Sequence, residues 1–214
     1  MSWNLLYNKL MIISAGTAYT ENTTHAGHHS AGLTLLEALW PGKLPEILTA
    51  ESGRPYQSLY PELDFNISHS GNLAACIVAE GRVGCDIQTV KRKFYPETAK
   101  RFFHPREYSF IEQAPDEEEK KRRFYTLWVL KEAHIKLLGT SVTEIRKTPV
   151  FLFEEGRLNC TGEHFFYEVY RSRDYMLAFA FEKEHSLRNG EIKHFGENRE
   201  DFTYFLSNMQ SVKS

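Results

Sequence analysis

The sequence predicts an α+β protein built as two lobes of similar layout. Three observations carry that expectation. A helical stretch followed by short strands is succeeded by further helices and then further strands, which is the order of two helix-plus-sheet units rather than of one alternating βαβ sheet. The 214 residues are 42% hydrophobic, enough for one large core or two small ones. Periodicity also switches cleanly between 3.6 and 2 along the chain. The expected boundary divides an N-terminal lobe, 1–82, from a C-terminal lobe, 83–214, that ends in a polar tail.

The elements follow in order. Residues 10–14 read as a strand. They follow a single lysine and a short apolar stretch, without the basic segment that opens a signal peptide. Residues 25–40 place Leu33, Leu36, Ala38 and Trp40 on an apolar stripe, a helix stopped by Pro41-Gly42. Strands are expected at 63–68, which alternates, and at 73–79, which is apolar throughout as a strand covered on both faces must be. Glu80-Gly81 turns the chain into 82–88, and the three strands read as an antiparallel meander. A basic connection over 90–94 leads to a helix with Pro96 in its first turn and then to a short helix after His104-Pro105. A long helix begins near Pro115-Asp116 and ends at Gly139. Strands are expected at 150–153, 157–160, 165–171 and 175–181, with Glu155-Gly156 as the turn between the first two. Phe202, Phe205, Leu206 and Met209 recur at helical spacing and suggest a docked terminal helix.

Composition narrows the function classes. A formal net charge of −2 argues against a nucleic-acid binder that works by bulk charge. No apolar run approaches the roughly 20 residues that span a bilayer. Three cysteines without a CxxC pair favour neither a zinc site nor a disulfide framework and fit buried free thiols in the cytoplasm. The run 116–123 pairs Asp116/Lys120, Glu117/Lys121, Glu118/Arg122 and Glu119/Arg123 at i, i+4, a self-neutralised helix face.

Four segments carry chemistry. On the strand Gly84-Cys85-Asp86-Ile87-Gln88, alternation sends Cys85 and Ile87 to the core and Asp86 and Gln88 to the other face. One carboxylate and one amide oxygen then sit side by side next to a glycine that leaves room, an arrangement suited to a hard cation, although any exposed strand face can look the same. In the stretch 128–136, Glu132 and Lys136 stack one above the other, with Trp128 a turn earlier and Lys131 about 100° around, where it could bracket an anion. The stretch 65–71 ends a strand in Ser68, His69, Ser70 and Gly71, whose hydroxyls, imidazole and backbone N–H groups suit phosphate oxygens or simply cap the strand. Gly53-Arg54-Pro55 presents one guanidinium on a turn. His25 and His29 share a helix face with His28 nearby, but no third metal ligand accompanies them.

Taken in order, GRP, FNISHS, GCDIQ and WVLKEAHIK resemble the signature of the surfactin-synthetase-activating type of 4'-phosphopantetheinyl transferase, and AKRFFHPREY resembles the stretch between its last two motifs. The resemblance covers about residues 50–140. It implies two lobes about a pseudo-twofold axis, with coenzyme A in the cleft between them. It implies Mg²⁺ held by Asp86 and Glu132, with Gln88 at the third position. It implies coenzyme phosphates held by Arg54, Ser68, His69, Lys131 and Lys136, and a catalytic set of Asp86, Glu132 and Lys136, with Glu132 as the acceptor of the proton. The implied reaction moves phosphopantetheine from coenzyme A to a serine of an apo acyl or peptidyl carrier protein, releasing 3',5'-ADP. No nucleic acid or membrane is implied as a partner, and a monomer suffices.

Two departures stand out. Gln88 replaces the usual second acid, so weaker metal affinity is expected. The N-terminal lobe has only Lys9 and Lys43 before Arg54, where relatives carry bases for the 3'-phosphate, and His25, His28 or His29 could substitute. Two alternatives remain: a non-catalytic binder of coenzyme A or carrier protein, and a metal-dependent phosphoesterase with the same carboxylates. Lys91-Arg92-Lys93 and Lys100-Arg101 are the expected basic surface for an acidic carrier, since they lack the acidic neighbours of 120–123.

Overall fold

The computed structural model describes residues 13–90, 93–94, 96–154, 157–162, 165–184, 192–195 and 202–207. The N-terminal half holds β1 (Ile13–Tyr19), α1 (His25–Leu39), β2 (Leu48–Thr49), β3 (Pro55–Tyr56), β4 (Leu63–Ser70), β5 (Leu73–Glu80) and β6 (Val83–Thr89). Three helices follow: α2 (Pro96–Phe102), α3 (Pro105–Glu112) and α4 (Glu117–Leu138). A 3₁₀ turn (Val142–Lys147) leads to β7 (Phe151–Glu154), β8 (Arg157–Cys160), β9 (Phe166–Arg171), β10 (Tyr175–Phe181), β11 (Lys193–Phe195) and β12 (Thr203–Ser207).

Alternation along β5 explains the layering. Cys76 and Val78 face α1, where they meet Leu35, Leu36, Leu39, Trp40 and Phe65. Ala75, Ile77 and Ala79 face the opposite way and meet Val83, Cys85 and Ile87 of β6 with Leu177, Phe179 and Phe181 of β10. The far side of β9 and β10, through Tyr167, Val169, Met176, Ala178 and Ala180, packs on Leu127, Leu130, Ala133 and Leu137 of α4. The order is therefore α1, sheet, sheet, α4, an α+β sandwich of four layers. Each buried Leu, Ile or Phe contributes about 1.5–3 kcal/mol, so the three apolar clusters supply most of the driving force.

One sheet has the order β11-β1-β5-β4 and the other β12-β9-β10-β6. This corrects the expected meander: β4 and β5 pair antiparallel, but the turn at Gly81 (φ 73°) sends β6 across to pair with β10. Alternating strands look alike to a sequence reading whether their partner is the previous strand or one a hundred residues on. β6 and β4 are the edges of their respective sheets, and they lie against each other. Side chains of β4 replace the missing backbone ladder: Asp64, Asn66, Ser68 and Ser70 accept from the N–H groups of Val83, Cys85, Ile87 and Thr89 at 2.9, 2.9, 3.3 and 3.0 Å. Two edges that would otherwise expose their polar groups are thereby closed.

Helix α4 starts on Asp116, whose Oδ1 accepts from Glu119 N–H at 2.8 Å, and stops at Gly139, a left-handed residue at φ 69°. Two of the four expected pairs in its acidic-to-basic run form, Glu118–Arg122 at 3.6 Å and Glu119–Arg123 at 3.2 Å. Lys120 and Lys121 pair instead with acids three residues back, at 3.2 and 3.7 Å: Asp116 caps the helix, and Glu117 goes to Lys120. The glycine on β6 does not leave room, as the sequence suggested. A Cβ at Gly84 would stand 1.9 Å from the carbonyl oxygen of Ala133 and 2.6 Å from the amide of Leu137, so the backbone of α4 fills that space.

Other expectations shift. In α1 the buried leucines are Leu35, Leu36 and Leu39, while Leu33 is half-buried and Ala38 is exposed. The expected terminal helix is a strand over Thr203–Ser207, antiparallel to β9, since a sheet edge offers backbone partners that helical spacing cannot register. Met209, residues 10–12 of the first expected strand and the turn Glu155-Gly156 lie outside the described residues. Lys193–Phe195, in the expected polar tail, pairs parallel with β1. Among the described residues no helix is long and apolar enough to cross a membrane.

The contact at Gly84 makes a direct prediction. Gly84→Ala should lower stability by about 3 kcal/mol or more, above the usual range for an added methylene, because backbone rather than a side chain must move. Urea unfolding followed by circular dichroism measures the loss; an unchanged midpoint would contradict the close approach of α4.

Candidate active site

Gly84 brings α4 so near β6 that side chains from both reach one place. Asp86, two residues along β6, is 2% exposed. Its Oδ1 accepts from Lys136 Nζ at 2.7 Å and from Ser68 Oγ at 2.9 Å. Lys136 Nζ also donates to Ser68 Oγ at 2.8 Å, and that oxygen accepts the Ile87 N–H at 3.3 Å. Ser68 thus donates once and accepts twice, the full capacity of a hydroxyl. Three elements (β4, β6 and α4) are locked together at this point.

A cavity of about 580 Å³ opens over these groups. One wall is polar, with Ser68, His69, Asp86, Gln88, Glu132 and Lys136; the other is Phe94, Phe124, Tyr125 and Trp128. Phe124, Trp128, Glu132 and Lys136 are successive i, i+4 positions on α4, so one helix face runs from aromatic to acid to base. Sequence reading found the last three. Phe124 belongs to the same stripe one turn earlier and was legible by the same spacing.

The electrostatics are those of two carboxylates around one cation. Burial, then the charge of Asp86, pushes the Glu132 carboxyl up to about 7, with Lys136 pulling it back. Burial works against the charge on Lys136, but Asp86, by charge and hydrogen bond, and Glu132 outweigh it and hold the ammonium above its ordinary value. His69 is held below its ordinary value by burial and by His28, Lys136 and His25, against the opposing pull of Asp86. Glu132 takes no hydrogen bond from another described residue.

That donor set suits a hard divalent cation. Two carboxylates share a buried cavity, and the one without a partner is destabilised by the other's charge, which a cation would relieve. Among the described residues no group of three His, Cys, Asp or Glu side chains is placed to hold a metal. Mg²⁺ commonly takes one or two protein carboxylates and completes its shell with waters and substrate phosphates.

Two expected site residues are not where the sequence put them, and a third, Gln88, lines the cavity in another role. Gln88 turns its amide nitrogen to Asp86 Oδ2 at 3.2 Å, and its carbonyl accepts from Ser70 Oγ at 3.4 Å. Flipping the amide would set two oxygens against each other, so Gln88 reaches Asp86 as a donor and not as a second oxygen ligand beside it. Arg54 does not line the cavity. It forms an ion pair with Asp64, donates to the Lys136 carbonyl, and reaches Leu137, Phe65 and Val83 carbonyls at 3.4, 3.4 and 3.1 Å. Its guanidinium ties the end of α4 to β4 and β6. Lys131 is 2% exposed and turned away, with Nζ 2.9 Å from Glu107, 3.0 Å from Thr148 Oγ1 and 3.2 Å from the Pro149 carbonyl. The 100° step around α4 that seemed to bracket an anion instead points into the core, where a buried charge demands a buried partner.

His25, His28, His29 and His69 line a second cavity of about 280 Å³. His28 and His69 stack with ring centroids 4.3 Å apart, and His28 Nε2 lies 2.9 Å from the Gly71 carbonyl. His69 and Ile67 belong to both cavities. Lys93 lines the larger one, while Lys9, Lys91 and Arg92 lie outside the described residues. Cys76 and Cys85 are buried free thiols, pushed up by burial and so poor nucleophiles.

Residues 82–187 match the model of the 4'-phosphopantetheinyl transferase superfamily. A 4'-phosphopantetheinyl transferase of Bacillus subtilis is 41% identical over 93 residues, 44% of this chain and 41% of that protein. The transferase Sfp of Bacillus subtilis strain 168 is 37% identical over 112 residues, 52% and 49%. AcpT of Salmonella typhimurium is 38% identical over 118 residues, 54% and 60%. The chain thus spans between 41% and 60% of these relatives' lengths.

The placement of Lys131 separates a structural from a binding role. Lys131→Met should cost about 3–5 kcal/mol by stranding the Glu107 charge, and Glu107→Gln added to it should recover part of that loss, since a neutral amide still accepts a backbone N–H there. Denaturant unfolding of the single and double variants checks this; a full-stability single variant would return Lys131 to the solvent-facing role the sequence suggested.

Proposed function

With residues 82–187 belonging to the 4'-phosphopantetheinyl transferase superfamily, we propose that this protein transfers the 4'-phosphopantetheine of coenzyme A to a serine of an apo acyl or peptidyl carrier protein, releasing 3',5'-ADP. The observation that carries the reading is the convergence of Asp86, Glu132, Lys136, Ser68 and His69 on one cavity, the first three inside the stretch that matches the superfamily model. The histidine-lined cavity adjoining it through His69 gives an elongated nucleotide a second compartment. In this reading the two sheet-and-helix units are lobes about a pseudo-twofold axis, divided near residue 82, with the coenzyme between them.

In the transfer, the carrier serine oxygen forms a bond to the β-phosphorus of coenzyme A as the bond from that phosphorus to 3',5'-ADP breaks. Glu132 takes the serine proton. A carboxyl held near pH 7 in the unloaded cavity is poised for that task. Lys136, kept charged by Asp86, neutralises charge on the departing 5'-phosphate of 3',5'-ADP, His69 offers a ring nitrogen to phosphate oxygens, and Ser68, whose one proton goes to Asp86, holds Asp86 and Lys136 in place. Mg²⁺, held by Asp86 and Glu132, would supply further neutralisation of the pyrophosphate. With the cation bound, Glu132 would be a weaker base, and the oxygen it keeps free of the cation would be the one to meet the serine. Gln88 serves by holding Asp86 as a hydrogen-bond donor. The aromatic wall of Phe94, Phe124, Tyr125 and Trp128 offers the pantetheine arm an apolar path. The reaction belongs to the cytoplasm, where the free thiols stay reduced, and one chain suffices for it.

The deciding experiment incubates the protein with coenzyme A, Mg²⁺ and an apo carrier protein and follows carrier mass. A gain of one phosphopantetheine supports the transferase. Release of 3',5'-ADP with an unmodified carrier identifies a phosphoesterase, and tight coenzyme binding with neither product identifies a binder. Glu132→Gln should lower kcat at least about a hundredfold; retained turnover excludes its role as base. Lys100 and Arg101 lie exposed on α2, and reversing both to Glu should raise KM for the carrier and leave KM for coenzyme A unchanged. Equal effects on both would contradict docking there.

A further inference from the structure

The stitching of β4 to β6 has a rung that touches nothing in the cavity. Asn66 is 5% exposed, and its Oδ1 accepts the Cys85 N–H at 2.9 Å. It does not line the 580 Å³ cavity, whereas Ile67, Ser68 and His69 beside it do. The residue whose amide it holds directly precedes Asp86. One rung further, Ser68 holds the Ile87 amide on the other side of Asp86 and also the Asp86 carboxylate itself. Asp86 is therefore clamped at the backbone on both sides, by two side chains of one strand.

Neither sheet could supply this clamp by ordinary pairing. Among the described residues β6 ends its own sheet, with β10 as its ladder partner. Its other edge is tied to β4 by side chains, and the apolar contact between the sheets fixes their separation without fixing their register, because hydrophobic packing is non-directional. A slip of β6 along β4 would carry Asp86 away from Ser68 and from Lys136, which approaches from a third element. From these contacts we infer that Asn66 is a positioning residue of the active site: by holding the Cys85 amide it sets the register of β6 on β4 and so the place of the Asp86 carboxylate. The inference rests on the transferase reading for its kinetic consequence and on the β4–β6 contacts for its geometry.

The test combines amide hydrogen exchange with steady-state kinetics on the full chain. Asn66→Ala should speed exchange at the Cys85 N–H at least tenfold and lower kcat roughly tenfold to a hundredfold, the usual effect of losing a group that orients a ligand-bearing residue, with KM for coenzyme A within about threefold. Asn66→Ser should restore both, since Ser68 and Ser70 already show that a hydroxyl can form a rung of this ladder. Val78→Ala, in the separate cluster against α1, serves as a destabilised control whose kcat should not change. An active wild type with an Asn66→Ala kcat within twofold of it overturns the role, as does a Val78→Ala variant that loses kcat to the same degree. If Asn66→Ala does not fold, Asn66→Ser decides alone: Cys85 protection and kcat must both stay near wild type, or the role falls. A wild type that binds coenzyme A and modifies no carrier sinks the transferase reading itself, a result distinct from any of these.

Discussion

A methyl group's worth of missing volume at Gly84 governs the distance between α4 and β6. With the Ala133 carbonyl 1.9 Å from where a Cβ would stand, no other residue type permits the approach without moving backbone. Because α4 lies so close, Lys136 reaches Asp86 at 2.7 Å and Ser68 at 2.8 Å, and Glu132 opens on the same cavity one turn earlier. A helix set even an ångström further out would leave Asp86 buried without a cation, an arrangement the interior penalises heavily.

The second constraint is directional. Two sheets pressed together by Ile77, Val83, Ile87, Phe179 and their neighbours are held apart at a set distance but not in a set alignment. Alignment comes from the hydrogen bonds of Asp64, Asn66, Ser68 and Ser70, which act at every second residue of β4. Arg54 extends the same tie to the end of α4 through Asp64 and the Lys136 carbonyl. Polar side chains that resemble a phosphate-binding turn are thus largely structural, and Ser68 holds the Asp86 carboxylate as well as the Ile87 amide.

Charge follows the same economy. Lys131 and Lys136 lie five residues apart on one helix and have opposite fates. Lys136 meets Asp86 at the cavity; Lys131 meets Glu107 in the core, where Glu107 also accepts the Phe151 N–H at 2.8 Å and the His104 N–H at 2.9 Å. One pair conditions the site, and the other fastens α3 and β7 to α4. The pull of burial on Glu132 is what remains when Asp86 has already claimed the nearby ammonium.

By itself the sequence determined what depends on neighbours along the chain. Alternation assigned Cys85 and Ile87 to the core and Asp86 to the opposite face, i, i+4 spacing stacked Trp128, Glu132 and Lys136, and Asp116 and Gly139 bounded α4, because helix and strand periods and end caps are local properties. Motif order indicated the superfamily before any geometry was known. Tertiary structure decided what depends on partners far apart in the chain: that β6 leaves β5 for β10, that residues 203–207 find a strand edge in place of a helix, and that Gly84 admits a helix rather than open space. It also decided which polar residues face the cavity. Arg54, Lys131 and Gln88 carry the right chemistry for phosphate or metal, but a side chain's donors go to whichever acceptor the fold brings within hydrogen-bonding distance. For these three the acceptors are Asp64, Glu107 and Asp86, 10, 24 and 2 residues away, and only the last lies close enough in sequence to have been foreseen.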